Sequence, residues 1–182
     1  MTGGILDNMP IVGYSLETQT KPIYSALRSE TTIVHELSHQ WFGDSVSVRT
    51  WNNIWLNEGF ATYAQWLWDE NKGTRSAHDA FLAAYNRRPA TSPFWQVLPG
   101  DPQRDTMFNS AVYQRGAMTL QVLRETIGDE AFFTVLRTWA ADHRYGNANT
   151  DEFISLAEKV ANRDLGDLFA TWLFTVGKPA LP

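Results

Sequence analysis

The chain lacks cysteine altogether, and it has no long apolar run. Without cysteine there can be no disulfide bond and no zinc site built from thiolates. No apolar stretch approaches the about 20 residues that cross a bilayer, and residues 1–4 show neither the basic start nor the apolar run of a signal peptide. We therefore predict no membrane segment. The compartment stays undecided because secreted proteins can also lack cysteine, with the cytoplasm as our default expectation.

Positive charge is also scarce. The 15 Lys and Arg residues are outnumbered by 20 Asp and Glu residues, which gives a formal net charge of −5. The longest basic run is the pair Arg87-Arg88. Binding to nucleic acid needs a clustered basic surface that neutralises phosphates. The composition therefore argues against nucleic acid as a partner.

Aromatic residues, in contrast, are abundant. Eight Trp and ten Phe occur among the 182 residues, and they recur in segments with helical spacing. Packing between helices is the simplest explanation, and this length suffices for one domain with a sizeable core. Residues 10–20, bounded by Pro10 and Pro22, favour a strand at a sheet edge. We predict a mainly α fold of the α+β class with this short N-terminal β-segment.

Helix start and stop signals divide the rest of the chain. We predict helices over residues 25–43, 53–70, 109–127, 129–143, 150–162 and 165–175. Ser29 and Thr150 are expected N-caps, and Gly43 and Gly128 are expected ends. Four prolines between residues 87 and 106 predict a long loop.

The pentapeptide His-Glu-Leu-Ser-His at residues 35–39 matches the pattern HExxH. Positions four apart share one face of an α-helix, so His35 and His39 can direct ring nitrogens at one metal ion, with Glu36 beside them. Glu58 follows after eighteen intervening residues and offers a third ligand. Two histidines and one glutamate suit a catalytic zinc, which keeps a fourth position open for water or substrate. We predict one Zn²⁺ per chain, bound by His35, His39 and Glu58.

An amphipathic helix with two ordinary histidines is the alternative to a metal site. Two of the four His residues fall within this one pentapeptide, and a glutamate at a set distance makes a chance match rarer. Metal binding is therefore the interpretation that we favour. His78 and His143 have no ligand-like spacing, and we expect them to be structural or solvated.

The segment around Glu58, from Trp51 to Ala61, reads WNNIWLNEGFA. Together with HExxH, this segment resembles the aminopeptidase N-like zinc metallopeptidases, which are gluzincins. The resemblance implies that residues 1–182 form a single thermolysin-like catalytic domain of the zincin type. Members of that family are several times longer, so it also implies that this chain is a fragment of a multidomain enzyme whose flanking domains are missing.

Two further segments acquire a role from the resemblance. Residues 15–18, Ser-Leu-Glu-Thr, look like a variant of the family's GxMEN motif, whose glutamate grips the free α-amino group of the substrate. Glu17 is its counterpart. Residues 111–117 resemble the family's VYxKGA segment, with Arg115 where lysine is usual. Tyr113 corresponds there to the tyrosine that stabilises the transition state, since a phenol can donate a hydrogen bond to an oxyanion.

The resemblance therefore implies a zinc aminopeptidase that hydrolyses the first peptide bond of peptides with a free N-terminus. Glu36 would act as general base on a zinc-bound water, the nucleophile, and then pass the proton to the leaving amine. Three alternatives stay open: a thermolysin-like endopeptidase, the leukotriene-hydrolysing branch of the same family, and a non-catalytic zinc-containing binding module. The presence of both Glu36 and Tyr113 disfavours the module, which needs neither a general base nor an oxyanion donor.

Overall fold

The computed structural model describes residues 3–7, 9 and 11–181. Within this part of the chain the fold is mainly helical. The helices are α1 (Glu30–Ser38), α2 (Trp55–Asn71), α3 (Ala77–Asn86), α4 (Ser110–Ile127), α5 (Asp129–Asp142), α6 (Thr150–Ala161) and α7 (Gly166–Leu173). The strands are β1 (Ile5–Leu6), β2 (Ser15–Leu16), β3 (Ile23–Tyr24), β4 (Val46–Val48) and β5 (Gly146–Ala148). Short 3-10 helices cover Trp51–Asn53, Pro93–Gln96 and Arg104–Thr106.

Two small sheets flank the helices. The first has the strand order β1-β3-β2, with β1 parallel and β2 antiparallel to the central β3. The strand predicted over residues 10–20 shortens to β2, which lies at a sheet edge as expected, while Pro10 falls outside the described residues. The second sheet pairs β4 with β5 in parallel. β4 lies between α1 and α2 in the chain, so this sheet braces the connection between the two segments that carry the predicted metal ligands.

Helix α1 begins at Glu30, five residues after the predicted start at residue 25, and it also ends earlier than predicted. The Ser29 hydroxyl accepts the backbone N–H of Thr32, which confirms the predicted N-cap. The helix stops at Ser38 instead of near Gly43. It stops there because the chain turns back, and Phe42 forms a bridge with Val46 at the start of β4.

His39 is the C-cap of α1 and keeps helical backbone angles, with φ −60° and ψ −21°. Although the helix ends at Ser38, His39 therefore still lies one turn beyond His35, on the same face. The prediction that the two histidines share a helix face holds despite the shorter helix.

Two other helical predictions need correction. Asn149, not Thr150, caps α6: its side chain accepts the N–H of Glu152, whose carboxylate accepts the Asn149 N–H in return. Thr150 is buried instead, and its hydroxyl donates a hydrogen bond to the side-chain oxygen of Asn53. Each of these buried polar groups thereby gains the hydrogen-bond partner that it needs. Helix α3 is absent from the predicted helices, although apolar residues recur in its sequence at the three- and four-residue spacing typical of a helix.

The core is centred on the packing of α2 against α4 and extends to α3, α5, α6 and α7, and aromatic side chains fill it as predicted. The fully buried ones are Trp55, Tyr63, Phe81, Trp95, Phe132, Trp139, Phe153 and Phe169. Where α2 crosses α4, Gly59 faces Gly116, and a Cβ on Gly59 would lie 3.0 Å from the Cα of Gly116. Glycine at both positions allows this close approach. None of the described helices is both long enough and apolar enough to cross a membrane.

Candidate metal centre and cleft

Three potential metal ligands converge between α1 and α2. His35 and the C-cap His39 approach from α1, and Glu58 approaches from the first turn of α2. The Oε2 atom of Glu58 lies 3.2 Å from His35 Nε2 and 3.5 Å from His39 Nε2. Two ligand atoms of a tetrahedral zinc, each about 2.1 Å from the metal, lie about 3.4 Å apart. The donor atoms, and their two distances from Glu58, therefore fit Zn²⁺.

The charges of these three groups also favour a cation. Burial alone would raise the pKa of the Glu58 carboxyl, but hydrogen bonds with His35 and His39 outweigh burial and hold that pKa at about 2. Burial lowers the pKa of His39, while the Glu58 carboxylate more than reverses this and raises it to about 9. The ionised Glu58 carboxylate thus favours positive charge at the point where the three side chains meet. A metal ion competes with protons for that point.

The chain also fixes the orientation of one ligand ring. His39 is almost fully buried, and its Nδ1 lies 3.0 Å from the backbone carbonyl oxygen of Phe42. A carbonyl accepts only from a protonated nitrogen, so the proton of a neutral His39 resides on Nδ1 and the lone pair on Nε2. The turn that ends α1 early therefore directs Nε2 toward the point where the three candidate ligands converge.

A cleft of about 910 Å³ opens over these ligands. Its wall combines residues from β2, α1, β4, α2 and α4 with the connections between them. Besides His35, His39 and Glu58 it includes Leu16, Glu17, Glu36, Asp44, Arg49, Trp51, Phe108 and Tyr113. All six residues predicted for the site thus reach one cavity.

Glu36 lies between the histidines in sequence and is 6% exposed. Burial raises the pKa of its carboxyl; the charges of His35 and His39 lower it, and those of Glu17 and Glu58 add to the rise. A carboxylate with a raised pKa is a stronger proton acceptor than one in water. This environment suits a general base.

Tyr113 projects from α4 toward the metal ligands. Its ring stacks on that of His35, with ring centroids 6.0 Å apart and planes 14° from parallel. Burial and the neighbouring Glu58 carboxylate raise the pKa of the Tyr113 phenol far above its usual value. The phenol therefore keeps its proton across the physiological pH range and can donate a hydrogen bond into the cleft.

Glu17 reaches the cleft from the segment that follows β2, and its side chain is partly exposed. The negative charge of Glu17 raises the pKa of two acidic neighbours, Asp44 and Glu36. The pKa of Asp44 is raised by burial and then by Glu17, and Glu17 also contributes to the rise at Glu36. This end of the cleft is therefore negatively charged and suited to an ammonium group.

Several residues of the site were not identified from the sequence. Asp44 and Gln40 occupy the turn after α1, and neither stands in a pattern that marks it as functional. Gly59 and Gly116 set the spacing between α2 and α4, and hence between Glu58 and Tyr113. A glycine inside each of two helix patterns was the available signal, since an interior helical glycine usually has a packing reason.

Comparison with known proteins identifies relatives of the chain. Residues 14–172 match the Peptidase family M1 domain. The chain is 33% identical over 157 residues to aminopeptidase N of Streptomyces lividans, covering 80% of this chain and 18% of that protein. It is 30% identical over 194 residues to aminopeptidase N of Lactobacillus delbrueckii subsp. lactis, covering 99% and 23%. The chain thus spans about a fifth of the length of these relatives.

Solved structures give the same result for the fold. The M1 zinc metallopeptidase of Deinococcus radiodurans, a mutant of which was solved with a Tyr-Ser-Ala substrate, matches with a TM-score of 0.84 and 28% identity. The match covers 100% of this chain and 40% of that one. Leukotriene A4 hydrolase of Saccharomyces cerevisiae, at 20% identity and a TM-score of 0.71, shares the fold. The predicted helical zincin fold is confirmed, and the predicted zinc cofactor is supported. The chain belongs to peptidase family M1.

Proposed function

We propose that this chain carries the catalytic centre of a zinc aminopeptidase, which removes the N-terminal residue of peptides. The observation that carries this proposal is the gathering of two histidines and four further side chains around one cleft. They are His35, Glu36, His39, Glu58, Glu17 and Tyr113. The names and substrates of the M1 relatives support the same activity.

His35, His39 and Glu58 hold the zinc in this proposal. When bound, zinc polarises the scissile carbonyl and brings the pKa of a water ligand to about 7. With one carboxylate and two neutral imidazoles as its ligands, a bound zinc would keep a net positive charge, which favours a carbonyl oxygen.

Glu36 moves the proton. Its carboxylate accepts a proton from the water that attacks the carbonyl carbon, and it then delivers that proton to the leaving amine. Burial keeps water from competing for the carboxylate and raises its basicity. Tyr113 retains its proton and donates a hydrogen bond to the oxygen that gains negative charge.

Glu17 makes the enzyme an exopeptidase. A carboxylate at one end of the cleft pairs with the substrate's α-ammonium group, so only the first peptide bond reaches the metal. An endopeptidase, the main alternative, has no use for such an anchor. The partly exposed position of Glu17 leaves it open to a ligand in the cleft.

The test compares two tripeptides on the zinc-loaded chain: Tyr-Ser-Ala and its N-acetyl derivative. We expect release of tyrosine from the first. We expect kcat/KM for the acetylated twin to be lower by about tenfold to a hundredfold, the value of a charge-assisted bond. Equal cleavage of both peptides would favour the endopeptidase. A chain that binds zinc stoichiometrically yet cuts neither peptide would favour the binding module.

A further inference from the structure

The Gln40 side chain joins two segments that carry carboxylates of the cleft. Its Oε1 accepts the backbone N–H of Thr20 at 2.6 Å, and its Nε2 donates to Asp44 Oδ2 at 2.8 Å. The same Nε2 lies 3.4 Å from the carbonyl oxygen of Glu17, a weaker contact. Gln40 directly follows the metal ligand His39, so these bonds fasten the segment after β2 to the end of α1.

The chemistry of its partners fixes the orientation of this amide. Thr20 offers an N–H and needs an acceptor, whereas the Asp44 carboxylate needs a donor. Rotating the Gln40 amide by 180° would set two donors against each other at Thr20 and two oxygens against each other at Asp44. Only one orientation therefore satisfies both neighbours.

The segment that Gln40 holds contains a strained residue. Thr20 has φ +69°, a left-handed conformation that is unfavourable for a β-branched side chain. The Lys21 N–H donates to the Thr18 carbonyl at 3.1 Å, which closes a turn with Thr20 at the position where glycine is preferred. Such a residue persists only where its surroundings hold it. The bond from the Thr20 N–H to Gln40 supplies that restraint.

The sheet does little to hold this segment. β2 pairs with β3 only through Ser15 and Leu16, and the pairing ends one residue before Glu17. The position of the Glu17 backbone therefore depends on the turn over residues 18–21 and on what anchors it.

We propose that Gln40 is a positioning residue, which fastens residues 17–20 to the end of α1 and thereby sets the Glu17 carboxylate for the substrate's ammonium group. This inference rests on the proposed function, because it assigns Gln40 a role through Glu17. Gln40 itself contacts backbone atoms and Asp44, not the metal ligands.

The test uses the zinc-loaded chain and a Gln40→Met variant, which keeps the side-chain length but has no amide. Calorimetry measures the Kd of tryptamine and of its N-acetyl derivative, neither of which has a peptide bond next to a free α-amino group. The unmodified chain should prefer the free amine. In Gln40→Met the Kd of the free amine should rise by about fivefold to tenfold, the value of a lost hydrogen bond or two. The Kd of the acetylated ligand and the zinc content should not change, which a general structural defect would not reproduce.

Two further variants make the test specific. Gln19→Ala removes an exposed glutamine from the same turn and should bind both ligands as the unmodified chain does. Thr20→Gly, added to Gln40→Met, relieves the left-handed strain and should recover part of the lost affinity. Hydrogen exchange at the amides of residues 18–21 should accelerate in Gln40→Met and slow again in the double variant.

The outcomes separate this inference from the proposed function. An unmodified chain that binds both ligands equally would overturn the amine anchor at Glu17, and the role of Gln40 with it. An unmodified chain that prefers the amine, with Gln40→Met retaining the full preference, would overturn the role of Gln40 alone.

Discussion

Two carboxyl groups at the candidate centre lie in opposite electrostatic environments. Interactions with two histidines hold the pKa of the Glu58 carboxyl at about 2, so this group stays ionised down to low pH. Glu36 experiences the opposite environment, where burial raises the carboxyl pKa. Two carboxyl groups in one cleft are thus tuned in opposite directions, as acid–base chemistry next to a metal requires.

Glu36→Gln should retain zinc and lose turnover. Glutamine has the same shape but cannot accept a proton, so we expect kcat to fall by about a hundredfold to ten-thousandfold. Zinc content by elemental analysis and kcat on a free-amino peptide are the two measurements. Glu130→Gln, at the exposed start of α5, is the matched control. Turnover at the unmodified rate would refute the assignment of Glu36 as base.

Glu58→Ala should instead release the metal. The change removes one of the three proposed ligands. Losing a residue that only supports a ligand lowers metal affinity by about tenfold to a hundredfold, so zinc affinity in Glu58→Ala should fall further than that. Competition with a chromogenic chelator measures this affinity. Glu70→Ala is the control on the same helix, because Glu70 bonds to Arg124 and not to the metal centre. An unchanged zinc affinity in Glu58→Ala would remove Glu58 from the ligand set.

At the scale of elements, the crossing of α2 and α4 positions both sides of the site. α2 supplies Glu58, and the next residue, Gly59, touches α4. α4 supplies Tyr113, and Gly116 lies less than one turn further along the same helix. The separation of the two helices therefore sets the distance between a proposed metal ligand and the proposed oxyanion donor.

Gly116→Ala should widen this crossing. The new Cβ would lie 3.0 Å from the Cα of Gly59, which is backbone and cannot swing aside. Overpacking of this kind costs about 1–3 kcal/mol, against a gain in helix propensity of about 1 kcal/mol. We expect a net loss of unfolding free energy together with weaker zinc binding. Gly3→Ala, where an added Cβ meets nothing within 4 Å, is the control. Unchanged zinc affinity would mean that the crossing does not set the site.

Across the whole molecule, a buried arginine ties the last helix to the site-bearing helix. Arg115 on α4 is fully buried and donates to the carbonyl oxygens of Thr171 and Thr175 at 3.0 and 2.6 Å. It also lies 3.4 Å from the carbonyl oxygens of Trp95 and Val97. Burial lowers its pKa to about 10, so the guanidinium stays charged at neutral pH. These carbonyl dipoles take the place of a carboxylate partner.

Arg115→Met should destabilise the fold strongly. Methionine fills similar space but leaves buried carbonyl groups without donors, and each such group costs about 1–3 kcal/mol. We expect the free energy of unfolding in urea to fall by about 3 kcal/mol or more. Arg115→Lys should lose less, since its ammonium can still reach some of these carbonyls. Arg137→Met, on the exposed face of α5, should change stability by less than about 0.5 kcal/mol. A stable Arg115→Met chain would show that water replaces the guanidinium.

The candidate metal ligands and most of the helices could be predicted from the sequence. The spacing of His35, His39 and Glu58 predicts a metal centre, and the three side chains do converge. Glycine and serine mark the ends of helices because caps and left-handed termini depend on nearby residues. The premature end of α1 was not predictable, because it arises from the pairing of Phe42 with Val46.

The sequence by itself determined the candidate ligand set, the candidate general base and the helical class, since each depends on residue type and on spacing along the chain. Only the tertiary structure decided that Glu17 and Tyr113 share a cleft with those ligands, that Gly59 meets Gly116, and that Gln40 bridges Thr20 to Asp44. The reason is physical: contacts between distant segments follow from how helices and sheets pack around a common core. No local pattern in one segment specifies the partner that packing brings to it.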